Sequence, residues 1–460
     1  MNRLKQLACC YSKTCDKGLI YFRVKSDSIE ILQNPQTFYS KLQKLISQSK
    51  KRVILSSLYI GTGELEENLI NSLHSRLEET KDLRVSILVD YNRGQRLKQK
   101  NDLDSSSKGL LRSLAHKANI YFFLSPAFGS YFKRYFILPI QSVNESLSTQ
   151  HIKCYIGDDD VILSGANLSE DYFTNRQDRY IYVRNCRELC DYLEKIVNLV
   201  GKFSFKLNSS GNLTIEDERN FIFHDSNKFG TIFKDNLQKI QAGYEKLSQL
   251  EMENTQTLII PTIQMNYLQI TEDFDLTRIL FNLSRKFSKT SHLVSGYFNL
   301  TKEYIDILTQ PNSSSILNIL AASEEVNGFY RADGPKKLIP SIYTQKSRDF
   351  LSSVQKSTAN VNFQLYHRKN WTFHAKGFWT HLDDGSYITT IGSSNYACRS
   401  VERDLEMQFL VATVDKNLID KLENERAQLW RFGAPIKDQN ELPQVPLTAR
   451  MLSKTLGNFF

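Results

Sequence analysis

The chain has 460 residues, of which 41% are hydrophobic and 24% are charged. This composition is typical of a folded globular protein and excludes disordered, collagen-like and low-complexity classes. No run of residues approaches the roughly 20 apolar positions that a membrane-spanning helix needs, so the sequence excludes an integral spanning protein but allows one that lies on a membrane. The formal net charge of +9 favours a polyanionic partner such as anionic lipid, nucleotide or nucleic acid.

The N-terminal segment is basic and rich in cysteine. Four basic side chains face a single acid, Asp16, in a pattern loosely similar to an organelle transit peptide. Residues 1–18 are therefore predicted to be a residual targeting segment, with an exposed basic terminus as the alternative. The seven cysteines have no metal-ligand spacing, so we expect reduced thiols and no metal site.

An internal repeat of about half the chain is the clearest organisational signal. In the first copy, the apolar run 53–59 predicts a buried strand that leads through a glycine-rich turn into a helix with a Leu at every fourth position from Leu65 to Leu77. The second copy repeats this pattern with a strand at 293–298 and a helix at 304–308. Alternating strands and helices predict α/β units with helices on both faces of a mixed or parallel sheet.

The repeat also predicts the domain boundaries. A polar turn from Asn208 to Asn212 and the charged run after it indicate the junction between the copies. The predicted segments are a first domain at 19–200, a linker and helix at 201–250, a second domain at 251–435 and a C-terminal tail at 436–460.

Each copy carries a His and a Lys separated by one residue. These are His151 and Lys153 in the first copy, and His374 and Lys376 in the second. On a strand the two side chains of each pair point to the same face, so the two pairs can converge across a pseudo-dyad. Such a site suits phosphodiester exchange, in which one imidazole attacks phosphorus, the other protonates the leaving oxygen, and ammonium groups hold the remaining oxygens.

The residues that follow each pair strengthen this prediction. Asn167 and Asn395 each end a turn of small residues, and an acid follows each Asn at the same distance. The acids are Asp178 and Glu406, and both spacings are eleven residues (178 − 167 = 406 − 395). A repeated constellation of this length indicates a bipartite site for phosphate transfer.

These motifs resemble the HxKxxxxD signature of the phospholipase D superfamily. The first copy matches it fully with Asp158, whereas the second has His381 at the corresponding position, with Asp383 and Asp384 nearby. Asp158 is therefore included among the catalytic-site candidates, and the resemblance implies that it is more a scaffold residue than a reactant. The segments 56–63, 161–169, 172–180 and 374–377 are more specifically similar to the eukaryotic phosphatidylglycerophosphate synthase family. This similarity extends from about Ile29 to Phe432.

The resemblance implies both a fold and a reaction. The fold would be two pseudo-symmetric phospholipase D-like α/β/α sandwich domains with the active site at their interface. The family transfers the phosphatidyl group of CDP-diacylglycerol to glycerol 3-phosphate, which releases CMP and commits mitochondria to cardiolipin synthesis. The resemblance also implies peripheral association with an anionic membrane on the matrix face of the mitochondrial inner membrane. It implies no cofactor for the chemistry, and it is compatible with a divalent cation at the CDP pyrophosphate.

By this resemblance, each motif residue receives a role. His151 is the expected nucleophile and His374 the expected general acid, although the pseudo-symmetry allows the reverse. The two lysines neutralise the transition-state oxygens, and the two asparagines act as neutral donors. Asp178 and Glu406 orient the imidazole of the opposite copy through Nδ1, which leaves Nε2 free to react. The alternative for the acids is an ordinary salt bridge with Arg176 or Arg403.

Two further segments are candidates for substrate and membrane contacts. The basic loop 328–337 supplies Arg331, Lys336 and Lys337 as candidate ligands for an acceptor phosphate. Ser393, in the turn before Asn395, is a further substrate-binding candidate. The segment 126–139 interleaves aromatic and basic side chains in a way that suits a membrane interface. Its membrane candidates are Phe128, Phe132, Lys133, Arg134 and Phe136; the alternative is a helix packed in the core.

Three rival functions remain open at this stage. A phosphatidylserine synthase of the same superfamily uses the same donor with a different acceptor. A nucleic-acid enzyme similar to tyrosyl-DNA phosphodiesterase would exploit the positive charge, but the intact Asp158 argues against it, and no nucleic-acid partner is expected. A catalytically silent lipid-binding scaffold would have no need for both His-Lys pairs and both asparagines.

Overall fold

The structure is a computed structural model that describes residues 2–99, 101–130, 144–145, 147–215, 226–246, 256–311, 314–357, 359–455 and 457–459. Amphipathic patterns and local capping account for its main helices. For example, Asn34 accepts a hydrogen bond from the Thr37 N–H at the start of a helix whose first residue is Pro35. The helices are α1 (Asn2–Cys15), α2 (Pro35–Gln48), α3 (Glu64–Glu79), α4 (Tyr91–Gly94), α5 (Ser107–Leu111), α6 (Glu170–Thr174), α7 (Arg187–Lys202), α8 (Ser226–Ala242), α9 (Glu272–Phe287), α10 (Lys302–Leu308), α11 (Ile339–Ser357), α12 (Cys398–Glu402), α13 (Lys416–Trp430) and α14 (Leu447–Thr455).

The strands form two large mixed sheets and one short pair. Those of the first half are β2 (Ile29–Leu32), β3 (Arg52–Ser56), β4 (Arg84–Asp90), β5 (Asn119–Phe123), β6 (Cys154–Gly157), β7 (Asp160–Ser164), β8 (Arg176–Gln177), β9 (Tyr180–Val183), β10 (Phe205–Leu207) and β11 (Leu213–Thr214), preceded by β1 (Phe22–Arg23). Those of the second half are β12 (Thr257–Met265), β13 (Ile270–Thr271), β14 (Ser288–Ser295), β15 (Ile316–Ala322), β16 (Val361–Tyr366), β17 (Thr372–Phe373), β18 (Lys376–Leu382), β19 (Tyr387–Gly392), β20 (Glu406–Thr413) and β21 (Gly433–Ile436).

The two sheets share one topology. The first has the order β11-β10-β5-β4-β3-β6-β7-β9-β2, and the second has the order β1-β12-β20-β19-β18-β14-β15-β16-β21. The run from β5 to β2 therefore matches the run from β16 to β12, strand by strand. In both sheets the first three strands of this run are parallel and the following ones are antiparallel. This correspondence confirms the predicted internal repeat and the α/β class.

Helices cover both faces of each sheet. Helices α2 and α3 pack on the outer face of the first sheet, and α1, α9 and α11 pack on the outer face of the second. Between the sheets, α7, α8 and α13 contribute to a single apolar core that includes residues from both sheets, such as Ile54, Leu163, Val294 and Ile391. The two halves are therefore joined by a continuous core, which fixes the position of one motif relative to the other.

The N-terminal residues have a structural role in the second half. On α1, Leu4, Leu7 and Tyr11 are buried in the same core as Leu280 and Phe281 of α9. Strand β1 then pairs with β12 of the second sheet. A basic segment can pack in this way because its apolar residues recur on one face of a helix. The prediction of a targeting segment at 1–18 stays a prediction.

The junction between the halves differs from the predicted linker. Residues 205–214 form β10 and β11, which extend the first sheet beyond β5, and α8 packs against α7. The structured part of the first half therefore continues past residue 200. The short strands lie at a sheet edge, where pairing with β5 compensates for their weak apolar pattern. At the C-terminus, the edge strand β21 ends at the first residue of the predicted tail, and helix α14 of the tail packs on α11.

One buried ion pair links the halves beside the motifs. Arg179, between β8 and β9, donates two hydrogen bonds to the Glu425 carboxylate of α13 (2.9 and 2.8 Å) and stacks over Trp379. Its guanidinium also donates to the Thr390 carbonyl of β19. A Cβ at Gly377 would collide with this guanidinium, which explains the glycine after Lys376.

We expect Arg179→Met to lower the free energy of unfolding by about 3–5 kcal/mol, because Glu425 would keep an unpaired charge in the core. The measurement is equilibrium denaturation of the wild type and the variant. The double variant Arg179→Met/Glu425→Leu should be less destabilised than the single one, since no charge remains unpaired. Equal destabilisation of the two variants would contradict this explanation.

Candidate active site

Two short parallel pairings bring the motifs together. On one side, β8 pairs with β17, and the His374 N–H donates to the Gln177 carbonyl (2.9 Å). On the other side, Gln150 forms a parallel bridge with Leu405, and the His151 N–H donates to the Leu405 carbonyl (2.8 Å). Each histidine is thus bonded through its backbone to the residue that precedes the acid of the opposite copy.

Each imidazole is held by that acid. His151 Nδ1 lies 2.9 Å from Glu406 Oε2, and His374 Nδ1 lies 2.6 Å from Asp178 Oδ2. The sequence predicted this crossed pairing, and the structure contains it. Both rings line one cleft of about 390 Å³. At His151 the contact of Nδ1 with the carboxylate leaves Nε2 free to react. At His374, Lys376 Nζ also lies 2.7 Å from Nδ1 and 3.5 Å from Nε2.

The charges around the two imidazoles differ. Burial lowers the pKa of His151, and the Glu406 carboxylate opposes this shift. Burial alone would raise the pKa of Glu406, but the charges of His151 and Lys153 bring it down to about 2, so this carboxylate is ionised. A neutral His151 that donates its Nδ1–H to Glu406 has an available lone pair on Nε2.

His374 lies in a more positive environment. Burial lowers its pKa well below the usual value, and the charges of Lys376, Arg176 and Lys153 lower it further. Burial raises the pKa of its partner Asp178, with Lys376 opposing the shift. An anionic ligand would offset these cations and raise the pKa of His374.

The motif lysines lie behind the imidazoles and are fully buried. Lys153 Nζ donates to the His151 carbonyl (2.9 Å) and Lys376 Nζ donates to the His374 carbonyl (2.7 Å). Burial lowers the pKa of both ammonium groups, and Glu406 and Asp178 oppose the shift. The two lysines and two acids therefore form a charged layer beneath the cleft.

The two asparagines are not equivalent. Asn167 is fully engaged, because its Oδ1 accepts from the Leu58 N–H (3.3 Å) and its Nδ2 donates to the Tyr172 hydroxyl (3.1 Å). Asn395 also lines the cleft, and its buried Oδ1 has no hydrogen-bond partner among the described residues. The second asparagine is therefore the better placed to contact a ligand.

The contacts of Asp158 fit the scaffold role and not a place among the catalytic residues. Its carboxylate lies in the β6–β7 turn, where it accepts hydrogen bonds from the N–H groups of Lys50, Lys51 and Arg52 (2.8, 2.7 and 3.1 Å). It is absent from the residues that line the cleft. The aspartate of the signature thus fixes the start of β3, in a backbone conformation with φ of 51°.

In the second copy the corresponding turn has a different partner. Strand β18 continues through His381, and the turn begins at Asp383, whose N–H donates to the Phe287 carbonyl just before β14. Arg3 of α1 donates to both oxygens of Asp383 (2.7 Å each) and its N–H donates to Asp384 (2.8 Å). These two acids hold the N-terminal helix and have no contact with the cleft.

We expect Asp158→Ala to lower the free energy of unfolding by about 1–3 kcal/mol, because three N–H groups lose their acceptor and Ala disfavours a positive φ. Activity per folded molecule should stay near that of the wild type. Asp159→Ala, one position away, is the matched control, since its ion pair with Arg52 is partly exposed and worth about 0–1 kcal/mol. A large loss of activity in a stable Asp158→Ala protein would restore the catalytic assignment.

The predicted substrate ligands differ in their exposure and in their position relative to the cleft. Lys336 lines the cleft, whereas Arg331 is exposed and lies outside it. Ser393 is buried, and its hydroxyl donates to the Met407 carbonyl (3.2 Å) and accepts from the Met407 N–H (3.0 Å). Ser393 therefore holds the strand that carries Glu406, and the structure corrects its assignment as a substrate ligand. Side chains on one loop diverge, and sequence alone does not reveal which of them turn inward.

The membrane prediction is corrected at one residue. Phe128 is fully buried in the core between the sheets and is not available to lipid. Phe132, Lys133, Arg134 and Phe136 lie outside the described residues. Among the residues described, no helix is long and apolar enough to cross a membrane. The described residues also contain no group of three or more His, Cys, Asp or Glu side chains that could hold a metal ion.

Sequence reasoning missed several residues of the cleft. Tyr172 and Tyr297 present ring edges to His374, with centroid distances of 5.1 and 5.5 Å. Arg176 lies over the Tyr172 ring and pairs with Asp171 (2.8 Å). A signal for Arg176 was available, because it precedes Asp178 by two residues and so shares its side of the strand.

Comparison with solved structures identifies the class of fold. Phosphatidylserine synthase of Haemophilus influenzae superposes with a TM-score of 0.72, at 20% sequence identity, over 97% of this chain and 96% of that one. This match confirms the phospholipase D-like fold, with the two halves arranged around a shared cleft.

Curated relatives identify the family. The mitochondrial CDP-diacylglycerol–glycerol-3-phosphate 3-phosphatidyltransferase of Mus musculus is 34% identical, over 95% of this chain and 84% of its own length. Enzymes of this name from Homo sapiens (34%) and Saccharomyces pastorianus (31%) also match over 84% of their lengths and over 95% and 90% of this chain. The chain belongs to the CDP-diacylglycerol–glycerol-3-phosphate 3-phosphatidyltransferase family. A scan against protein-family models gave no match.

Proposed function

We propose that this protein transfers the phosphatidyl group of CDP-diacylglycerol to sn-glycerol 3-phosphate and releases CMP. The observation that carries the reaction type is the pair of imidazoles in one cleft, each held by a carboxylate from the opposite half. The names of the relatives supply the donor and the acceptor. The product, phosphatidylglycerophosphate, commits the pathway to cardiolipin.

In the first half-reaction, His151 is the nucleophile. Its Nε2 forms a bond to the phosphorus that carries diacylglycerol, and the bond from that phosphorus to the CMP oxygen breaks. Glu406 stabilises the positive charge that develops on the ring. His374, protonated once the substrate diphosphate offsets the cations around it, donates its proton to the departing CMP oxygen.

In the second half-reaction, His374 acts as the base. It accepts the proton of the glycerol 3-phosphate hydroxyl, whose oxygen attacks the same phosphorus while the bond to His151 breaks. Both histidines return to their starting states, so the proton balance closes. Two in-line displacements at one phosphorus require groups on opposite sides of it, which the two halves supply.

The buried lysines provide electrostatic stabilisation in this scheme. Lys153 and Lys376 place positive charge beneath the phosphate, where the low local dielectric strengthens its effect. The chemistry therefore calls on no cofactor, and a divalent cation is proposed only as a ligand of the CDP pyrophosphate. Asn395, which lines the cleft, is the asparagine proposed to contact the substrate through its amide N–H group.

We further propose a location for the reaction. The donor is a membrane lipid, so the cleft must meet a membrane surface, and the net charge of +9 favours an anionic one. The mouse and human relatives are named as mitochondrial. The protein is therefore proposed to act as a peripheral enzyme on the matrix face of the mitochondrial inner membrane.

The test is release of CMP from CDP-diacylglycerol in mixed micelles by the purified protein. Glycerol 3-phosphate, serine or water is supplied as the acceptor in separate reactions. Selective stimulation by glycerol 3-phosphate is the expected result. Stimulation by serine alone would identify the protein as a phosphatidylserine synthase. If no acceptor led to release of CMP, the proposed transferase function would be wrong.

A further inference from the structure

The cleft holds more cations than the carboxylates around it can neutralise. Among the described residues, five Arg and Lys side chains and three acids line it besides the two histidines, namely Arg93, Arg96, Arg176, Lys336 and Arg399 with Glu145, Asp171 and Asp404. Two of the cations have close partners of their own. Arg176 lies 2.8 Å from Asp171, and Arg399 lies 2.8 Å from Asp404. Within the described lining of the cleft, three cations therefore share the one remaining carboxylate, Glu145.

The contacts of that carboxylate are loose. Glu145 Oε1 lies 3.6 Å from Arg93 Nη1 and 3.4 Å from Arg96 Nη1. These separations are longer than those of the two close pairs. Burial and the neighbouring charges of Arg96 and Arg93 lower the pKa of Lys336, whereas Glu145 raises it, so all three cations respond to the same carboxylate. With three positive charges and one negative charge, the cluster has a net charge of about +2.

Arg93 and the backbone of Glu145 are held by contacts that do not involve the Glu145 carboxylate. The Arg93 N–H donates to the buried Asp90 carboxylate (2.8 Å), and the Arg93 guanidinium stacks 4.3 Å above the Tyr59 ring. Arg399 donates to the backbone carbonyl of Glu145 (2.7 Å). The side chain of Glu145 can therefore turn away without loss of that anchor.

We propose that Arg93, Arg96 and Lys336 bind the phosphate of the acceptor, and that the Glu145 carboxylate occupies this site until the acceptor displaces it. This inference rests on the proposed function. A phosphate monoester carries about −1.5 to −2 charge at neutral pH, which matches the cluster, whereas a zwitterionic amino acid has no net charge to offer. Arg residues also present paired donors that fit phosphate oxygens.

In this proposal, the cluster selects the acceptor by binding its phosphate, whereas the histidines carry out the reaction at its hydroxyl group. Because the three cations and both imidazoles line one cleft, an acceptor whose phosphate is held here would have its hydroxyl end in the same cleft. Glu145 meanwhile neutralises part of the cluster in the free enzyme, which limits repulsion among the three cations. Its displacement costs some binding energy, so removal of its charge should tighten acceptor binding.

The test compares the KM for glycerol 3-phosphate with the KM for CDP-diacylglycerol in the full-length protein. Lys336→Gln and Arg96→Gln should each raise the KM for glycerol 3-phosphate by about 10- to 100-fold, since each loses a charge-assisted contact with phosphate. The KM for CDP-diacylglycerol should change far less. Lys337→Gln is the matched control, because Lys337 is the exposed neighbour outside the cleft.

The Glu145→Gln variant tests whether the acceptor displaces the Glu145 carboxylate from the cluster. Its KM for glycerol 3-phosphate should fall by about two- to fivefold, and inorganic phosphate should become a stronger competitor of the acceptor. The exposed acid Glu188, changed to Gln, controls for the loss of one negative charge. A higher KM for glycerol 3-phosphate in Glu145→Gln would overturn the displacement.

The remaining outcomes separate this inference from the proposed function. If the Lys336→Gln and Arg96→Gln variants raise the KM for CDP-diacylglycerol instead, the cluster binds the donor diphosphate and the inference is wrong. Unchanged KM values for both substrates would also overturn it. If the wild type shows no release of CMP that depends on glycerol 3-phosphate, the proposed function itself fails. Arg96→Lys, which keeps the charge, should recover part of the affinity if loss of charge, and not misfolding, explains the Arg96→Gln result.

Discussion

Replacement of either His151 or His374 by Ala is expected to reduce acceptor-dependent release of CMP by at least about 10⁴-fold. The first variant loses the group that forms the covalent bond, and the second loses the proton donor and acceptor of the two half-reactions. Both side chains lie in the same cleft, and each is bonded to a buried carboxylate of the opposite half. The measurement is the initial rate with purified, folded variants.

The two variants should differ in what accumulates on the protein. His374→Ala retains the nucleophile but lacks both the acid for the departure of CMP and the base that activates glycerol 3-phosphate. The phosphatidyl group should therefore form slowly on His151 and remain there. Intact-protein mass spectrometry after incubation with CDP-diacylglycerol measures this adduct. An adduct in His151→Ala but not in His374→Ala would reverse the two roles.

His381→Ala is the control for these replacements. His381 lies on β18, the strand that follows His374, and its side chain is exposed. It also occupies the sequence position of the missing signature aspartate. We expect its replacement to leave the rate near that of the wild type, whereas a loss equal to that of His374→Ala would point to damage to the strand as the common cause.

Glu406→Gln and Asp178→Asn are expected to lower the rate by about 10²- to 10⁴-fold while the protein remains folded. Each change removes the negative charge that holds an imidazole through Nδ1. The amide can donate to Nδ1, which favours the tautomer with the proton on Nε2 and blocks the reactive lone pair. The rate and the pH–rate profile are the measurements, and a rate near that of the wild type in either variant would contradict a positioning role.

Stability should respond to pH in opposite directions in these two variants. The pKa of Glu406 is depressed from 4.5 to about 2, so its charge stabilises the fold fully above the unfolded value, and this contribution is lost as pH falls towards 2. The stability deficit of Glu406→Gln should therefore shrink in acid. Denaturation midpoints between pH 7 and the acid limit of folding measure this change.

The contribution of Asp178 to stability changes with pH in the opposite direction, because burial raises the pKa of this carboxyl group. Its charge therefore costs stability, and the cost appears as pH rises through the raised folded value. Relative to the wild type, Asp178→Asn should become more stable as the solution moves from acid to neutral pH. The same direction of change in both variants would contradict the difference in charge environment between the two histidines.

The sequence by itself determined the repeat, the class of fold and the central chemistry. Alternating strands and helices are local patterns, and a His and a Lys two residues apart share one face of a strand wherever that strand is placed. The equal spacing from Asn167 to Asp178 and from Asn395 to Glu406 also survives in the sequence, because both copies have the same turn and strand lengths there. The crossed pairing of acids and histidines followed from the pseudo-symmetry.

Only the tertiary structure decided which neighbours share each charge. The contact of His151 with Glu406 joins residues that are 255 positions apart, and that of His374 with Asp178 joins residues 196 apart. The ion pair of Arg179 with Glu425 joins residues 246 positions apart. No periodicity extends over such distances. The roles of Asp158, Phe128 and Ser393 changed for the same reason, since burial and partners depend on packing between elements. The loose cluster around Glu145 is likewise visible only where loops from both halves meet.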